Sequence, residues 1–418
     1  MYGEIITIGT ELISGRVLDL NAWYAAGKLT SAGLKVTRIT TVADQPDMVT
    51  RALKEAVKDS RFVITTGGLG STEDDLTSTI VAHALDRPLC LDREMFDKIK
   101  DFVEARGMEM SPSLEKMAWV PKGSRMINPD GNACGYSLLE NDNQMYFLPG
   151  VPDQMRYLMD KFVVPELLAT YKTLPVLRHK VLKIYGLSEP SIAEVLKQLP
   201  EAVENVILGF YPHFPETHVT VGLRGQDEST VMDAIHRTVK EIRALVGPFL
   251  FAMEDQSMEK VVGNLLQERG MTIALAESCT GGLIGNLLTN VAGSSRYFQG
   301  GLVTYSNQSK ADLLGVSPDT LERYGAVSDQ TVREMAQGVR KRLGADLGLA
   351  VSGIAGPDGG TEQKPVGTVH IGLAAAQATH CAKYRFWGTR WQIKRNAAAM
   401  ALDWIRRYLH GYPFLPGI

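Results

Sequence analysis

Cysteine is scarce in this chain: 4 residues in 418, with no Cys-x-x-Cys pair. Neither a disulfide framework nor a zinc pattern can be built from that spacing, and Cys90, Cys134, Cys279 and Cys381 read as reduced thiols of a cytosolic protein. An excess of one charge is missing too, since 44 Lys and Arg stand against 47 Asp and Glu, a net charge of −3. General affinity for nucleic acid or anionic lipid is therefore not expected. The basic stretch from Arg390 to Arg407 reads first as a solvated helix face. No uncharged apolar run reaches the roughly 18 residues that cross a bilayer. Met1-Tyr2-Gly3-Glu4-Ile5-Ile6-Thr7 has no basic and apolar signal regions and leads straight into a strand, so a cytoplasmic location without a signal peptide is expected.

What is present is an ordinary mixture, 44% apolar and 22% charged, long enough for several domains. Up to about residue 170, short apolar runs alternate with helical patterns. Glu4 to Gly9, Leu34 to Val42 and Phe62 to Thr66 read as strands, and Leu20 to Ala32 and Pro46 to Lys58 as helices. This rhythm predicts an α/β domain, a mostly parallel sheet with helices on both faces. A boundary is read at Tyr171 to Pro175, followed by a small α+β segment to residue 253 without a cluster of potential catalytic groups. Spacing or dimer contact is its expected role. A third domain, again α/β, is expected from 254 to 418, with strands at Met271 to Ala276, Leu302 to Tyr305 and Leu347 to Ser352 and a long amphipathic helix at Arg390 to Leu409.

Chemistry concentrates at two strand ends. Ala276-Glu277-Ser278-Cys279-Thr280-Gly281-Gly282 places a hydroxyl at a Gly-rich strand-to-helix junction, where helix amides face the loop. Ser278 is a nucleophile candidate there and equally a plain helix cap; Cys279 is a thiol alternative. Thr280, Gly281 and Gly282 are candidates for substrate contact and for holding an oxyanion. Ser294 and Ser295 form a second hydroxyl cluster. Tyr305 and Lys310 can share the strand-end pocket if a helix starts near Asn307. Lys310 serves as a base only if its ordinary pKa is lowered by burial or by positive neighbours. Arg390 and Arg395 are candidates to lower it or to hold a phosphate. Ser352 and Gly353 offer another strand-end loop, whose plainer reading is a tight turn.

Far from these residues, Thr66-Gly67-Gly68-Leu69-Gly70-Ser71-Thr72-Glu73-Asp74-Asp75-Leu76-Thr77 combines free amides with carboxylates. Amides at Gly67, Gly68 and Gly70 suit phosphate, and Asp74 and Asp75 suit a divalent cation. Asp75 and Thr77 can also be helix caps. Glu11 in Gly9-Thr10-Glu11 and Asp44 in Val42-Ala43-Asp44 follow other strands and can share that edge of the sheet.

The Ser278 segment, Phe298-Gln299-Gly300-Gly301-Leu302-Val303-Thr304-Tyr305-Ser306-Asn307, Gly325-Ala326-Val327-Ser328, Gly353-Ile354-Ala355-Gly356-Pro357-Asp358-Gly359 and Lys364-Pro365-Val366-Gly367-Thr368-Val369 together resemble the CinA C-terminal family. The resemblance covers about 160 residues. It implies a deamidase of nicotinamide mononucleotide (NMN), yielding nicotinate mononucleotide and ammonia without a cofactor. It also carries catalytic roles onto Ser278, Ser295, Tyr305 and Lys310, with both serines open as nucleophile. The Glu11, Asp44 and Gly67 segments and Leu148-Pro149-Gly150-Val151-Pro152 are similar to the three-layer molybdopterin-binding fold that CinA N-terminal domains share with molybdenum-cofactor biosynthesis proteins. The order of the three regions is that of full-length CinA proteins. For the N-terminal domain the resemblance implies hydrolysis of ADP-ribose to AMP and ribose 5-phosphate. A divalent metal such as Mg²⁺, Co²⁺ or Mn²⁺ would lie near Asp44, Asp74 and Asp75, with Glu11 and Thr77 at the substrate. It further implies a homodimer. Rival readings are a nucleotide- or pterin-binding sensor, an interaction partner in competence, and a molybdopterin-processing enzyme.

Overall fold

Six strands form the first sheet of the computed structural model, which describes residues 2–128, 135–171, 176–200 and 206–417. Cys134, and the expected boundary beyond Tyr171, lie outside the described residues. The chain divides into two compact units, Met1–His179 with Leu223–Asp233, and Lys180–Gly222 with Ala234–Ile418.

In the first unit Lys35–Val42, Tyr2–Ile8, Phe62–Thr66 and Asn143–Leu148 lie side by side in parallel, and Tyr136–Glu140 and Arg125–Met126 extend the sheet antiparallel. Successive side chains of a strand leave on opposite faces. Ile6, Val63 and Phe147 accordingly pack with Val49 and Leu53 of helix Pro46–Asp59. Ile5, Ile64 and Tyr146 pack with Ala25 and Leu29 of helix Leu20–Ser31. Two cores on one sheet make the three layers expected. Each fully buried Ile contributes roughly 1.5–3 kcal/mol. Because the central strands run in parallel, the Gly9–Glu11 turn and the Gly67 loop leave the same edge.

Ile207–His213, Glu216–Gly225, Val176–Ile184 and Leu250–Met253 form a four-stranded sheet in that order. The last sheet has the order Phe298–Val303, Ile273–Glu277, Leu347–Gly353, Thr368–Ala374, Thr379–Arg385, parallel across the first three strands and antiparallel beyond. One face buries Leu275, Leu349 and Ile371 against Val262, Leu288, Ala401 and Trp404 of three helices, among them the terminal helix Arg390–His410. The other buries Ala274, Ala276 and Ala350 beneath helix Asp329–Arg342. That helix comes so close that a Cβ on Gly348 would sit 2.2 Å from the Ala336 carbonyl. The strand expected at Leu302 to Tyr305 runs instead from Phe298 to Val303. Gly300 and Gly301 pair with Ala274 and Leu275 in the ladder, but without side chains they conceal the alternation. No helix among the described residues is long and apolar enough to cross a membrane.

Candidate active sites

Every residue of Ile273–Glu277 is buried, so the chain leaves the sheet at Ser278, whose amide still bonds Val351 O at 2.9 Å. Glu277 then folds its carboxylate forward, accepting from the amides of Gly282 (3.0 Å), Ile284 (3.1 Å) and Gly285 (2.8 Å). It thereby caps helix Leu283–Thr289 from within, with negative charge at the helix's positive end. Gly281 and Gly282 turn the chain at φ +63° and +92°, where other residues are strained. The Gly281 amide bonds Ser278 O. The amides of Gly281 and Gly282, expected to hold an oxyanion, are thus engaged; those of Cys279 and Thr280 have no oxygen acceptor among the described residues. The Thr280 hydroxyl is buried and likewise unpartnered among them.

Ser306 caps helix Asn307–Leu314 through the Ser309 amide at 3.1 Å, which sets Lys310 in the first turn, facing back to the sheet edge. Lys310 is buried, 1% exposed. Its Nζ lies 3.1 Å from Ser278 Oγ, 2.8 Å from Thr304 O and 3.2 Å from Tyr305 O. Burial holds this lysine below its ordinary pKa. No carboxylate pairs with it among the described residues, since Glu277 is taken up by amides. Two of the three neighbours are carbonyls and can only accept; the third is a hydroxyl, which can donate. A neutral amine with two N–H bonds and one lone pair satisfies all three, its lone pair toward the Ser278 proton. Such an arrangement is able to deprotonate a hydroxyl nucleophile. Burial pushes the Cys279 thiol up to about 12, which keeps it protonated and a poor nucleophile.

The other expected residues divide. Tyr305 holds Lys310 through its carbonyl, while its exposed phenol accepts from Arg390 Nη2 at 3.2 Å. Arg390 Nη1 also bonds Gly356 O at 2.6 Å. Ser352 follows Val351, the ladder partner of Glu277, and its hydroxyl is donated to Ala326 O at 2.6 Å. Gly353 has Thr368 O 2.8 Å from the place of a Cβ, a packing reason for glycine. Arg395 lies 5.3 Å over the Trp391 ring. Ser295 is exposed and precedes Phe298–Val303, whereas Ser278 follows the parallel strand Ile273–Glu277. Within one chain the two serines are therefore at opposite edges of the sheet, about 17 Å of strand apart, and Lys310 reaches only Ser278.

Sequence reasoning passed over two residues here. Glu277, 2% exposed, was visible as the one charge ending an apolar run before a Gly-Gly turn. Lys394 brings its Nζ to 3.7 Å from the position of a Cβ on Gly281, and is one helical turn from Arg390. Its signal was only that spacing.

The first unit offers a cavity of about 560 Å³ lined by Glu11, Asp44, Gly67, Gly68, Gly70, Asp74 and Asp75 on one side and Ile99, Phe102 and Met117 on the other. Thr77 ties the loop down, its hydroxyl donating to Gly67 O at 3.0 Å and its amide to Gly68 O. A Cβ on Gly68 would lie 2.2 Å from the Thr77 hydroxyl. Asp75 accepts from the Thr72 amide at 3.0 Å, and Asp44 from the Thr10 amide and hydroxyl at 2.7 and 2.9 Å. Asp75 thus braces its own loop and Asp44 ties its loop to the Thr10 turn, each with one oxygen to spare. No group of three or more His, Cys, Asp or Glu side chains among the described residues could by itself hold a metal ion.

Three family descriptions match consecutive stretches: probable molybdopterin binding domain over residues 4–169, damage-inducible protein CinA KH domain over 179–252, and CinA C-terminal domain over 255–409. The CinA-like protein of Geotalea uraniireducens is 39% identical over 97% of this chain and 96% of its own. Those of Geobacter sulfurreducens and Syntrophotalea carbinolica are each 41% identical over 97% of this chain and 98% of theirs. The KH match was not foreseen from the sequence. KH modules clamp a nucleic-acid backbone with a Gly-x-x-Gly loop. In this segment only Gly222-Leu223-Arg224-Gly225 has that spacing, and it lies within strand Glu216–Gly225.

Proposed function

The chain belongs to the CinA-like family, and on that premise we propose that it is a hydrolase of pyridine nucleotides whose C-terminal site deamidates NMN. The observation that carries this reading is the buried contact of 3.1 Å between Lys310 Nζ and Ser278 Oγ. Neutral Lys310 takes the hydroxyl proton as Ser278 Oγ bonds to the carboxamide carbon. The amides of Cys279 and Thr280 face the oxygen that gains charge. Lys310 returns the proton to the nitrogen, the C–N bond breaks and ammonia leaves. Water, deprotonated by the same lysine, cleaves the resulting ester to nicotinate mononucleotide and restores Ser278. The test is ammonia release from NMN by the wild-type protein and by Ser278→Ala and Lys310→Met, with and without chelator. Release that survives chelator and is lost in both variants is expected; full activity in Ser278→Ala would transfer the nucleophile to Ser295 or to water.

For the N-terminal cavity we propose ADP-ribose as substrate, its diphosphate on the amides of Gly68 and Gly70, because the Gly67 amide expected to be free donates to Leu148 O at 3.1 Å, and a planar ring on the Phe102 side. Mg²⁺ is commonly held by one or two carboxylates together with substrate phosphates. The spare oxygens of Asp44 and Asp75, with Glu11 and Asp74 nearby, fit a metal that arrives with the diphosphate. When bound, such an ion would polarise a phosphoryl oxygen and acidify water. The lack of a self-sufficient metal group among the described residues also favours a second reading, binding without turnover. AMP appearing with ADP-ribose and metal decides for hydrolysis; saturable binding with no AMP decides for a sensor. A cytoplasmic homodimer without direct nucleic-acid contact completes the proposal, and sedimentation of the purified chain tests the dimer.

A further inference from the structure

Two separate contacts lay the first turns of the terminal helix over the Ser278 and Lys310 loops. Arg390 bonds the Tyr305 phenol, and the Tyr305 carbonyl holds Lys310. One turn on, Lys394 stands over Gly281. At 3.6 residues per turn, Arg390, Lys394, Trp391 and Arg395 spread over about 140° of the helix circumference. Neither Lys394 nor Arg395 makes an ion pair or hydrogen bond among the described residues, and Arg395 rests on the Trp391 indole. Three cations and an indole with no paired carboxylate suit an anion attached to a flat ring.

This face has a brace from elsewhere in the same compact unit. Phe214, in the turn between Ile207–His213 and Glu216–Gly225, sets its ring 5.8 Å from that of Trp391 at an interplanar angle of 32°. It is the only ring against Trp391 among the described residues; Trp391 is otherwise 59% exposed. The hairpin tip is itself held. His213 pairs with Glu216, the His213 and His218 rings stack at 4.5 Å, and His218 Nε2 lies 2.7 Å from the Glu216 carboxylate.

We propose that this hairpin tip belongs to the C-terminal binding site: Phe214 fixes Trp391, so that Arg395 and Lys394 meet the phosphate of a mononucleotide substrate. The site thereby selects nucleotides over the corresponding nucleosides. The inference rests on the deamidase reading. Phe214 is a positioning residue, and Lys394 contacts substrate. The small middle segment is then a specificity element of the deamidase as well as a spacer.

The experiment compares NMN with nicotinamide riboside on the full chain as wild type, Phe214→Ala, Phe214→Tyr and Lys394→Gln, by ammonia release. In Phe214→Ala we expect KM for NMN to rise about fivefold with kcat within twofold, no change for the riboside, and recovery in Phe214→Tyr. Lys394→Gln raises KM for NMN about tenfold and spares the riboside. Equal effects on both substrates, or none on either, overturn the proposal. If the wild-type chain releases ammonia from neither compound, the deamidase reading has failed, and titration calorimetry still tests the inference. Tighter binding of NMN than of riboside that is lost in Phe214→Ala supports it; equal affinities overturn it.

Discussion

The Ser278–Lys310 site and the Gly67–Asp75 cavity both sit where parallel strands end, yet they are prepared to different degrees. In the first, the proposed nucleophile and base already touch, and a buried carboxylate fixes the turn that follows Ser278. In the second, the carboxylates line a wide cavity, and Asp44 and Asp75 each spend one oxygen on bracing strand-end loops. Preassembly is possible where the pair is neutral, because a neutral lysine and a hydroxyl cost little to bury together. Several carboxylates cannot be gathered in that way without a cation to offset their repulsion. A site built on such a pair can therefore be complete before substrate arrives, whereas on the proposed reading the acidic one is completed by a cation that comes with the ligand.

The hardest test of that contrast is Lys310→Met. Ammonia release is expected to fall ~10³-fold, as for a lost general base, while AMP release from ADP-ribose is untouched; assaying both activities on one preparation measures this. The reciprocal change, Asp44→Asn with Asp75→Asn, should lower metal-dependent AMP release by about tenfold or more and leave ammonia release unaltered. Removing the brace rather than the chemistry comes next. Glu277→Ala strands three amides and should destabilise the C-terminal unit by about 3 kcal/mol, read as an earlier denaturant midpoint. The smallest effect is the pH signature. Burial lowers the Lys310 pKa, so ammonia release should rise with pH through a value below 10.5, and that limb should vanish in Lys310→Met. Between the lowered value and 10.5 the unfolded chain binds the extra proton, so the stability of the wild type should rise with pH there, and that of Lys310→Met should not. A profile without this limb would mean that another group takes the proton.

Much of this was legible in the residues. Phe62–Thr66, followed by Gly67, and Leu347–Gly353 are largely apolar runs of strand length bounded by glycine, and both are strands that end in loops. The Ser278, Tyr305 and Lys310 segments were picked out in advance, and the structure gathers the Ser278 hydroxyl, the Lys310 side-chain nitrogen and the Tyr305 carbonyl. What escaped was orientation. Tyr305 was expected to share the strand-end pocket with Lys310 through its side chain, but its strand ends two residues earlier, and it is the carbonyl that meets Lys310 while the ring meets Arg390. Ser295 was a fair rival by residue type, and only the parallel register of Phe298–Val303 with Ile273–Glu277 sends it to the far edge. Of the expected oxyanion donors Thr280, Gly281 and Gly282, the Gly282 amide is claimed by Glu277 and the Gly281 amide by Ser278 O, a choice that no spacing rule encodes.

By itself the sequence determined the alternation of strands and helices and the residue types at each strand end, because periodicity and glycine placement are local properties. Tertiary structure alone decided which of those residues meet. Lys310 falls below its ordinary pKa only because the fold buries it, Glu277 caps only because the chain turns back on it, and Phe214 reaches Trp391 across 177 positions of sequence. Burial, register and long-range contact are properties of the packed chain, set by the whole molecule at once.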